Sequence, residues 1–112
     1  MQIRELDLKE LYTVYDVLSQ LYEDLTYKEF EDLIYDMRDI NYKMIGIMDD
    51  EKLITYAGLS ILTTLKDKRH VKVFDLVTDK KYETEKYNKI MKEYLVDYAN
   101  MAMCEKIIYD ML

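Results

Sequence analysis

The side chains that most often do chemistry in proteins are scarce in this chain of 112 residues. His70 is its only histidine and Cys104 its only cysteine. Metal clusters and Cys–His nucleophile pairs need such residues together, so neither kind of site is expected. His70 begins a strand-like segment after Lys68 and Arg69, which favours an exposed position. Cys104 precedes an apolar run, which favours a buried, inert thiol.

Charge is distributed unevenly along the chain. Residues 1–40 hold eleven acids and four bases, a net charge of −7, whereas residues 41–112 hold twelve of each. An acidic field repels phosphate backbones, so nucleic acid is not expected as a partner. The same field would attract a cationic ligand or a basic protein. The acids could also serve only to keep a small domain soluble.

The compartment is predicted from what the sequence does not contain. No run approaches the roughly 20 apolar residues of a membrane span. The first five residues include Arg4 and Glu5 where a signal peptide would need an apolar stretch. A single cysteine allows no internal disulfide, which fits a reducing environment. We therefore expect a cytoplasmic protein with no membrane partner.

The first forty residues predict one strand followed by two helices. Residues 1–6 read as a short strand. Asp7 with Glu10, and Thr26 with Glu29, have the spacing of capping boxes that begin helices. Apolar residues then recur at helical spacing over 11–25 and again to about residue 40. The first of these stripes consists of Leu11, Val14, Leu18, Leu21 and Leu25.

The remaining residues predict three strands, a helix and a last strand. Residues 44–48 and 53–62 flank a polar turn and read as a β-hairpin. Residues 63–70 read as a polar connection, 71–77 as a strand and 83–103 as a helix. Residues 105–112 read as the final strand. The order β-α-α-β-β-β-α-β predicts one α/β (α+β) domain over residues 1–112, with a mixed sheet and helices on both faces.

This order and three segments resemble the GNAT superfamily of acetyl-CoA-dependent N-acetyltransferases. Residues 53–59, Leu-Ile-Thr-Tyr-Ala-Gly-Leu, resemble the third strand of that family. Residues 74–82 are similar to its fourth strand and the turn after it, and residues 104–107 to the entry of its fifth strand. The resemblance covers nearly the whole chain and implies an acetyltransferase-like protein.

The cofactor loop of the family departs from its usual pattern here. The family motif is Arg/Gln-x-x-Gly-x-Gly/Ala, whose glycines let backbone amides approach the pyrophosphate at a helix N-terminus. Laid on this chain, its three defining positions are Glu83, Lys86 and Asn88, with Glu85 between them. Carboxylates thus stand where phosphates would bind, and side chains fill the space of the glycines. We expect no cofactor, or acetyl-CoA if the protein is active.

The resemblance also assigns candidate site residues on the fourth strand. Asp75 lies where several family members place a carboxylate that acts as general base, directly or through water. An acid at a strand end can equally be solvated or cap a turn. Leu76 and Val77 occupy positions that line the cofactor in the family. The implied site is therefore Asp75 for catalysis and Leu76, Val77, Glu83, Lys86 and Asn88 for the cofactor.

Three functions compete at this stage. A degenerate GNAT member would bind a partner or small ligand without acetyl transfer, and the altered loop favours this interpretation. An active N-acetyltransferase acting on a cationic amine is the second. The third is a structural module that homodimerises, because the family usually continues past its fifth strand with a helix and two strands. Twelve tyrosines in the chain would suit such an interface, so a homodimer is expected.

Overall fold

The computed structural model describes residues 1–110, which form five strands and three α-helices. The strands are β1 (Gln2–Leu6), β2 (Lys43–Asp49), β3 (Lys52–Thr64), β4 (Lys68–Thr78) and β5 (Lys106–Tyr109). The helices are α1 (Leu11–Leu18), α2 (Tyr27–Met37) and α3 (Thr84–Met101). Short 3-10 turns occupy Leu8–Glu10 and Arg38–Ile40. The order of elements matches the sequence prediction, while Met111 and Leu112 of the predicted last strand lie outside the described residues.

Both capping boxes form as predicted. The Asp7 carboxylate accepts from the Lys9 amide, and Glu10 accepts from the Asp7 amide at 3.2 Å. Thr26 and Glu29 exchange the equivalent bonds at the start of α2. These side chains satisfy amide groups that have no partner within a helix, and so fix where each helical segment starts.

The first helix is shorter than predicted. The leucine stripe predicted a helix through Leu25, but α1 ends at Leu18 and a turn occupies residues 19–26. The Tyr15 hydroxyl donates to the Leu25 carbonyl at 2.6 Å and holds this turn against the helix. Leu21 is 49% exposed. Contacts of residues 19–26 with α1 therefore replace the predicted end of the helix, although Leu21 and Leu25 continue the helical spacing of apolar residues.

The β3–β4 hairpin is longer than predicted. Residues 63–64 and 68–70, assigned to a polar connection, pair as strand residues in the register Thr64–Lys68 to Leu62–His70. His70 is buried at 2% exposure, so the predicted surface position is wrong. Its Nδ1 lies 2.8 Å from the Lys68 carbonyl oxygen. Strand pairing turned this side chain inward, whereas its charged neighbours in sequence had favoured exposure.

The five strands lie in the sheet in chain order, antiparallel from β1 to β4, with β5 parallel to β4. One core packs α1 and α2 on one face, around Val14, Phe30 and Tyr56. A second core packs α3 on the other face, around Leu59 and Met91. Helices therefore cover both faces, and the predicted mixed α/β class is confirmed. Cys104 is half-buried beside the second core instead of fully buried.

A β-bulge in β4 positions the candidate site. Gly58 of β3 pairs with Asp75 and Leu59 pairs with Val73, so Phe74 is an extra residue on β4. The parallel pairing with β5 covers His70 to Val73, before the bulge. Bulges bend a strand and redirect its side chains. Here the bulge brings Asp75 to the face covered by α1 and α2.

Candidate functional site

A cleft of about 650 Å³ opens between the α1–α2 turn, α2 and the middle of the sheet. We call it the Asp75 cleft. Asp75 is 9% exposed and reaches this cleft from β4. The rest of the lining is mainly apolar and consists of Leu18, Leu21, Tyr22, Glu23, Asp24, Leu25, Phe30, Leu33, Ile34, Met37 and Tyr42. The predicted catalytic candidate is therefore in a pocket and is not a solvated strand end.

Three tyrosines surround the carboxylate. Tyr22, from the α1–α2 turn, donates a short hydrogen bond to Oδ1 of Asp75. Tyr42 donates to Oδ2 at 3.3 Å, and its oxygen lies 2.6 Å from the Tyr56 hydroxyl. Because a phenol has one proton, Tyr56 is the donor to Tyr42 when Tyr42 donates to Asp75. Both carboxylate oxygens therefore accept phenolic hydrogen bonds.

Gly58 makes room for this network. Tyr42 lies across the backbone of β3 at Gly58, and a Cβ added there would overlap the Tyr42 hydroxyl. The same Cβ would lie 2.9 Å from the Tyr56 oxygen. The role of this glycine is close approach, because its φ is not positive. The small residue noted in the third strand thus serves the site directly.

The network holds the phenols in their protonated form. The hydrogen bond to Asp75, then burial, raises the pKa of Tyr22 to about 12. Burial, then the nearby Tyr56 and the Asp75 charge, raises the pKa of Tyr42 well above its usual value. Burial likewise raises the pKa of Tyr56. An ionised phenol beside a carboxylate would place two negative charges together, which the low-dielectric surroundings oppose.

Charge at the cleft has one sign. Glu23 and Asp24 lie at its exposed rim, and Asp75 lies at its base. Among residues 1–110, the lining includes no lysine, arginine or histidine. Two of the three acids, Glu23 and Asp24, come from the acidic first forty residues.

The predicted cofactor loop lies at the start of α3, where Glu83 is the N-cap residue and makes no side-chain capping bond. Glu83, Glu85 and Lys86 are exposed, and the Lys86 ammonium lies 5.3 Å from the centre of the Tyr87 ring. Asn88 is half-buried, and its Oδ1 accepts from Thr78 at 2.7 Å. Asn88 therefore ties the helix to β4 where the family motif has a glycine.

Amides of the loop before α3 already have partners inside the protein. The Lys80 amide donates to Gln20 Oε1 and the Lys81 amide to Asp79 Oδ1, each at 3.0 Å. The Tyr82 amide donates to the Asp79 carbonyl at 2.9 Å. Amides used in this way are not free to bind phosphate. Gln20 and Asp79 thus hold the loop before α3, and the Glu83 and Glu85 carboxylates lie at the start of the helix.

The other two predicted cofactor positions pack in the cores. Leu76 is 8% exposed and packs with α3, while Val77 is 7% exposed and packs with α1 and α2. Their side chains belong to opposite faces of β4. The site residues named from sequence thus divide among the Asp75 cleft, the two cores and the start of α3.

Sequence reasoning missed the three tyrosines. None of Tyr22, Tyr42 and Tyr56 was singled out as a site residue from the sequence. They lie 53, 33 and 19 residues from Asp75, so no short motif links them to it. The abundance of tyrosine was the one available signal, and it did not indicate which of the twelve would meet.

No membrane-spanning helix is found among residues 1–110. The same residues contain no group of three or more His, Cys, Asp or Glu side chains able to hold a metal ion.

Comparisons with known proteins find similarity in structure and not in sequence. No protein-family model matches the chain, and no curated protein sequence matches it. The structure superposes on ribosomal-protein-alanine N-acetyltransferase from Brucella melitensis with a TM-score of 0.83 at 14% identity, covering 100% of this chain and 81% of that one. Glucosamine-6-phosphate N-acetyltransferase from Arabidopsis thaliana gives a TM-score of 0.75 at 21% identity, covering 99% and 82%.

An aminoglycoside N-acetyltransferase, solved in complex with CoA, gives a TM-score of 0.78 at 14% identity, covering 99% of this chain and 76% of that one. A GNAT family acetyltransferase from Staphylococcus aureus gives 0.75 at 15% identity, covering 99% and 86%. At these identities the likeness concerns the fold. The structure confirms the resemblance drawn from the three segments: this chain has the fold of the GNAT acetyltransferases.

Proposed function

We propose that this protein is a degenerate GNAT-fold member that binds a cationic small ligand at Asp75 and does not transfer acetyl groups. The observation that carries the proposal is the position of the Asp75 carboxylate, at the base of a mainly apolar cleft whose lining includes no base. A buried carboxylate without a cationic partner is costly, and a cationic ligand would supply that partner.

The start of α3 supports the absence of acetyl transfer. Pyrophosphate binding at a helix N-terminus needs free amides and no competing negative charge. Here Glu83 and Glu85 place two carboxylates at the start of α3, and Lys86 and Asn88 place side chains where the family motif has glycines. The residues present do not fit the pyrophosphate of acetyl-CoA.

The surroundings of Asp75 give further support. A general base must be able to accept a proton from the reacting group. Both oxygens of Asp75 already accept hydrogen bonds from phenols, one from Tyr22 and one from Tyr42. These donors occupy both carboxylate oxygens in the free protein, and a cation that displaces one of them would satisfy the same oxygen.

An active N-acetyltransferase is the second candidate. The observation in its favour is the bulge at Phe74, after which β4 runs without a β5 partner among the described residues. That region of the backbone lies beside the cleft. An N-acetyltransferase needs such a neighbourhood, because it must hold the acetyl donor next to the acceptor amine.

Calorimetry with acetyl-CoA tests the cofactor part of the proposal. We expect no micromolar binding by the unmodified protein, and tighter binding after the joint change Glu83→Gln and Glu85→Gln removes two repelling charges. A thiol-release assay with alkylamines, amino sugars, polyamines and a peptide N-terminus should show no turnover. Micromolar acetyl-CoA binding together with turnover of any of these amines would establish the enzyme instead.

Amide NMR spectra test the ligand part. We expect at least one amine of the same panel to shift resonances of β4 near Asp75, and Asp75→Asn to abolish that shift. Asp97→Asn is the matched control, because Asp97 is exposed on α3, away from the cleft. If no amine moves these resonances, or if Asp75→Asn behaves like the control, the cleft does not bind cations through Asp75.

A further inference from the structure

The walls of the Asp75 cleft are more apolar than a small polar ligand would require. Phe30 and Ile34 of α2 form its inner side and are buried. Leu21 and Leu33, 49% and 48% exposed, stand at its open side with no cover among residues 1–110. Apolar side chains around a pocket of several hundred Å³ are typical of sites that bury most of a ligand's surface. The ligand therefore has an apolar body.

The charge of the cleft restricts the ligand's head group. The lining offers Asp75, Glu23 and Asp24 and no base, so a phosphate or carboxylate ligand would meet only like charge. A protonated amine would meet the Asp75 carboxylate at the base, where apolar walls limit screening. The acidic base and the apolar walls of the cleft together match a ligand that has an amine at one end of an apolar chain or ring.

The two phenols on Asp75 differ in how firmly they are held. Tyr42 is held between Gly58, Tyr56 and Asp75, and its ring centre lies 6.1 Å from that of Phe74, with the two rings tilted. Tyr22 is 46% exposed, sits on the α1–α2 turn and makes its side-chain hydrogen bond to Asp75 alone. Rotation of one side chain would free Oδ1 of Asp75 without disturbing the sheet. Tyr22 is therefore the displaceable donor.

We infer that the ligand of the Asp75 cleft is a protonated amine with an apolar body, and that the Tyr22 hydroxyl occupies the ammonium position on Asp75 in the free protein. This inference rests on the proposed function and specifies its ligand. Tyr22 is a specificity-determining residue here, because a ligand must replace its hydrogen bond. A ligand group therefore binds favourably only if its interaction with the Asp75 carboxylate is at least as strong as the Tyr22 hydrogen bond that it replaces.

A series of n-alkylamines from butylamine to octylamine tests the ligand class by calorimetry at pH 7.5. Affinity should rise along the series by up to about fourfold for each methylene, since each one leaves water for the apolar walls. Octanoate, which has a carboxylate in place of the amine, should bind at least about a hundredfold more weakly than octylamine because it meets only acids.

Tyr22→Phe tests the place-holding role, because it keeps the ring and removes the hydroxyl. Octylamine should bind about three- to tenfold more tightly to this variant, which no longer has a donor to displace. Tyr35→Phe is the matched control: it removes the hydroxyl of a tyrosine that is 42% exposed on α2 and does not line the cleft. The control should bind octylamine within about twofold of the unmodified protein. Thermal melting establishes that both variants are folded.

Each outcome separates the inference from the proposed function. Affinity that does not rise with chain length, or octanoate binding as tightly as octylamine, overturns the ligand class. Unchanged or weaker octylamine binding to folded Tyr22→Phe overturns the place-holding role. Either result leaves cation binding at Asp75 intact if Asp75→Asn still abolishes it. Absence of binding by every amine to both the unmodified protein and Tyr22→Phe overturns the proposed function and this inference together.

Discussion

At the scale of single residues, Gly58 decides whether the tyrosine network can form. Gly58→Ala places a methyl group where the Tyr42 hydroxyl lies, so Tyr42 must leave its bonds to Tyr56 and Asp75. We expect a loss of about 1–3 kcal/mol in the free energy of unfolding, from overpacking and broken hydrogen bonds. Urea unfolding measures it.

A second variant separates overpacking from a general effect of removing a strand glycine. In Gly58→Ala combined with Tyr42→Ala the overlap with Tyr42 is gone and only the Tyr56 hydroxyl, at 2.9 Å, stays close, so most of the added cost of alanine should vanish. A Gly58→Ala cost that is the same with and without the Tyr42 side chain would contradict the close approach as its cause.

Tyr22 gives the folded state a pH dependence in the alkaline range. Its pKa is raised from 10.0 to about 12, so the folded protein holds this proton more tightly than the unfolded chain does. The resulting stability is complete below pH 10 and is lost as the pH rises from 10 to about 12. Because Tyr22 is 46% exposed, solvent screening limits the effect to at most about 1 kcal/mol.

The measurement compares the free energy of unfolding of the unmodified protein and Tyr22→Phe between pH 9 and pH 12. The unmodified protein should lose more stability over this interval, since the variant lacks the proton concerned. Parallel curves for the two proteins would show that Tyr22 ionises as an ordinary exposed tyrosine. Tyr42 and Tyr56 are present in both proteins and cancel in the comparison.

At the scale of elements, a chain of side-chain hydrogen bonds joins β3, β4 and α3. Thr55 of β3 and Thr78 of β4 lie 2.8 Å apart through their Oγ1 atoms, and Thr78 donates to Asn88 of α3. Thr55 and Thr78 are buried at 0% and 5% exposure. The position that is a glycine in the family motif thus carries a side chain that is hydrogen-bonded to β4 in this protein.

Thr78→Val tests this connection, because valine keeps the shape and removes the hydroxyl. We expect a loss of about 1–3 kcal/mol in the free energy of unfolding, since Thr55 and Asn88 each lose a buried partner. Thr63→Val is the matched control, at an exposed position of β3. Should Thr78→Val be as stable as the control, the network would contribute nothing measurable.

At the scale of the whole molecule, the homodimer expected from sequence stays a prediction. Among residues 1–110 β5 is an edge strand, and its Ile107, Ile108 and Tyr109 are only partly buried. Pairing this edge with a second copy would cover apolar area, worth about 25 cal/mol for each Å² removed from water. Light scattering at micromolar concentration should give twice the 13.6 kDa chain mass. A mass of 13.6 kDa at that concentration would exclude the dimer.

Much of the architecture was determined by the sequence itself. The two capping boxes, the β2–β3 hairpin and the stripe of α3 are local patterns, because the residues that interact in them lie three or four apart or face each other across a short turn. The GNAT resemblance rested on three short segments within that order, and the structure confirms the fold. The acidic character of the first forty residues was likewise readable, and two of its acids stand at the rim of the cleft.

Tertiary structure alone decided where the first helix ends, how His70 is buried and what surrounds Asp75. The Tyr15–Leu25 bond replaced helical turns that the leucine spacing had predicted. Strand pairing in the long hairpin turned His70 inward. Tyr22 and Asp75 are 53 residues apart in sequence, and their hydrogen bond depends on the β4 bulge that places Asp75 on the face covered by α1 and α2. Local patterns record contacts between near neighbours in the chain, whereas this site consists of contacts between distant ones, which only packing of the sheet against its helices brings together.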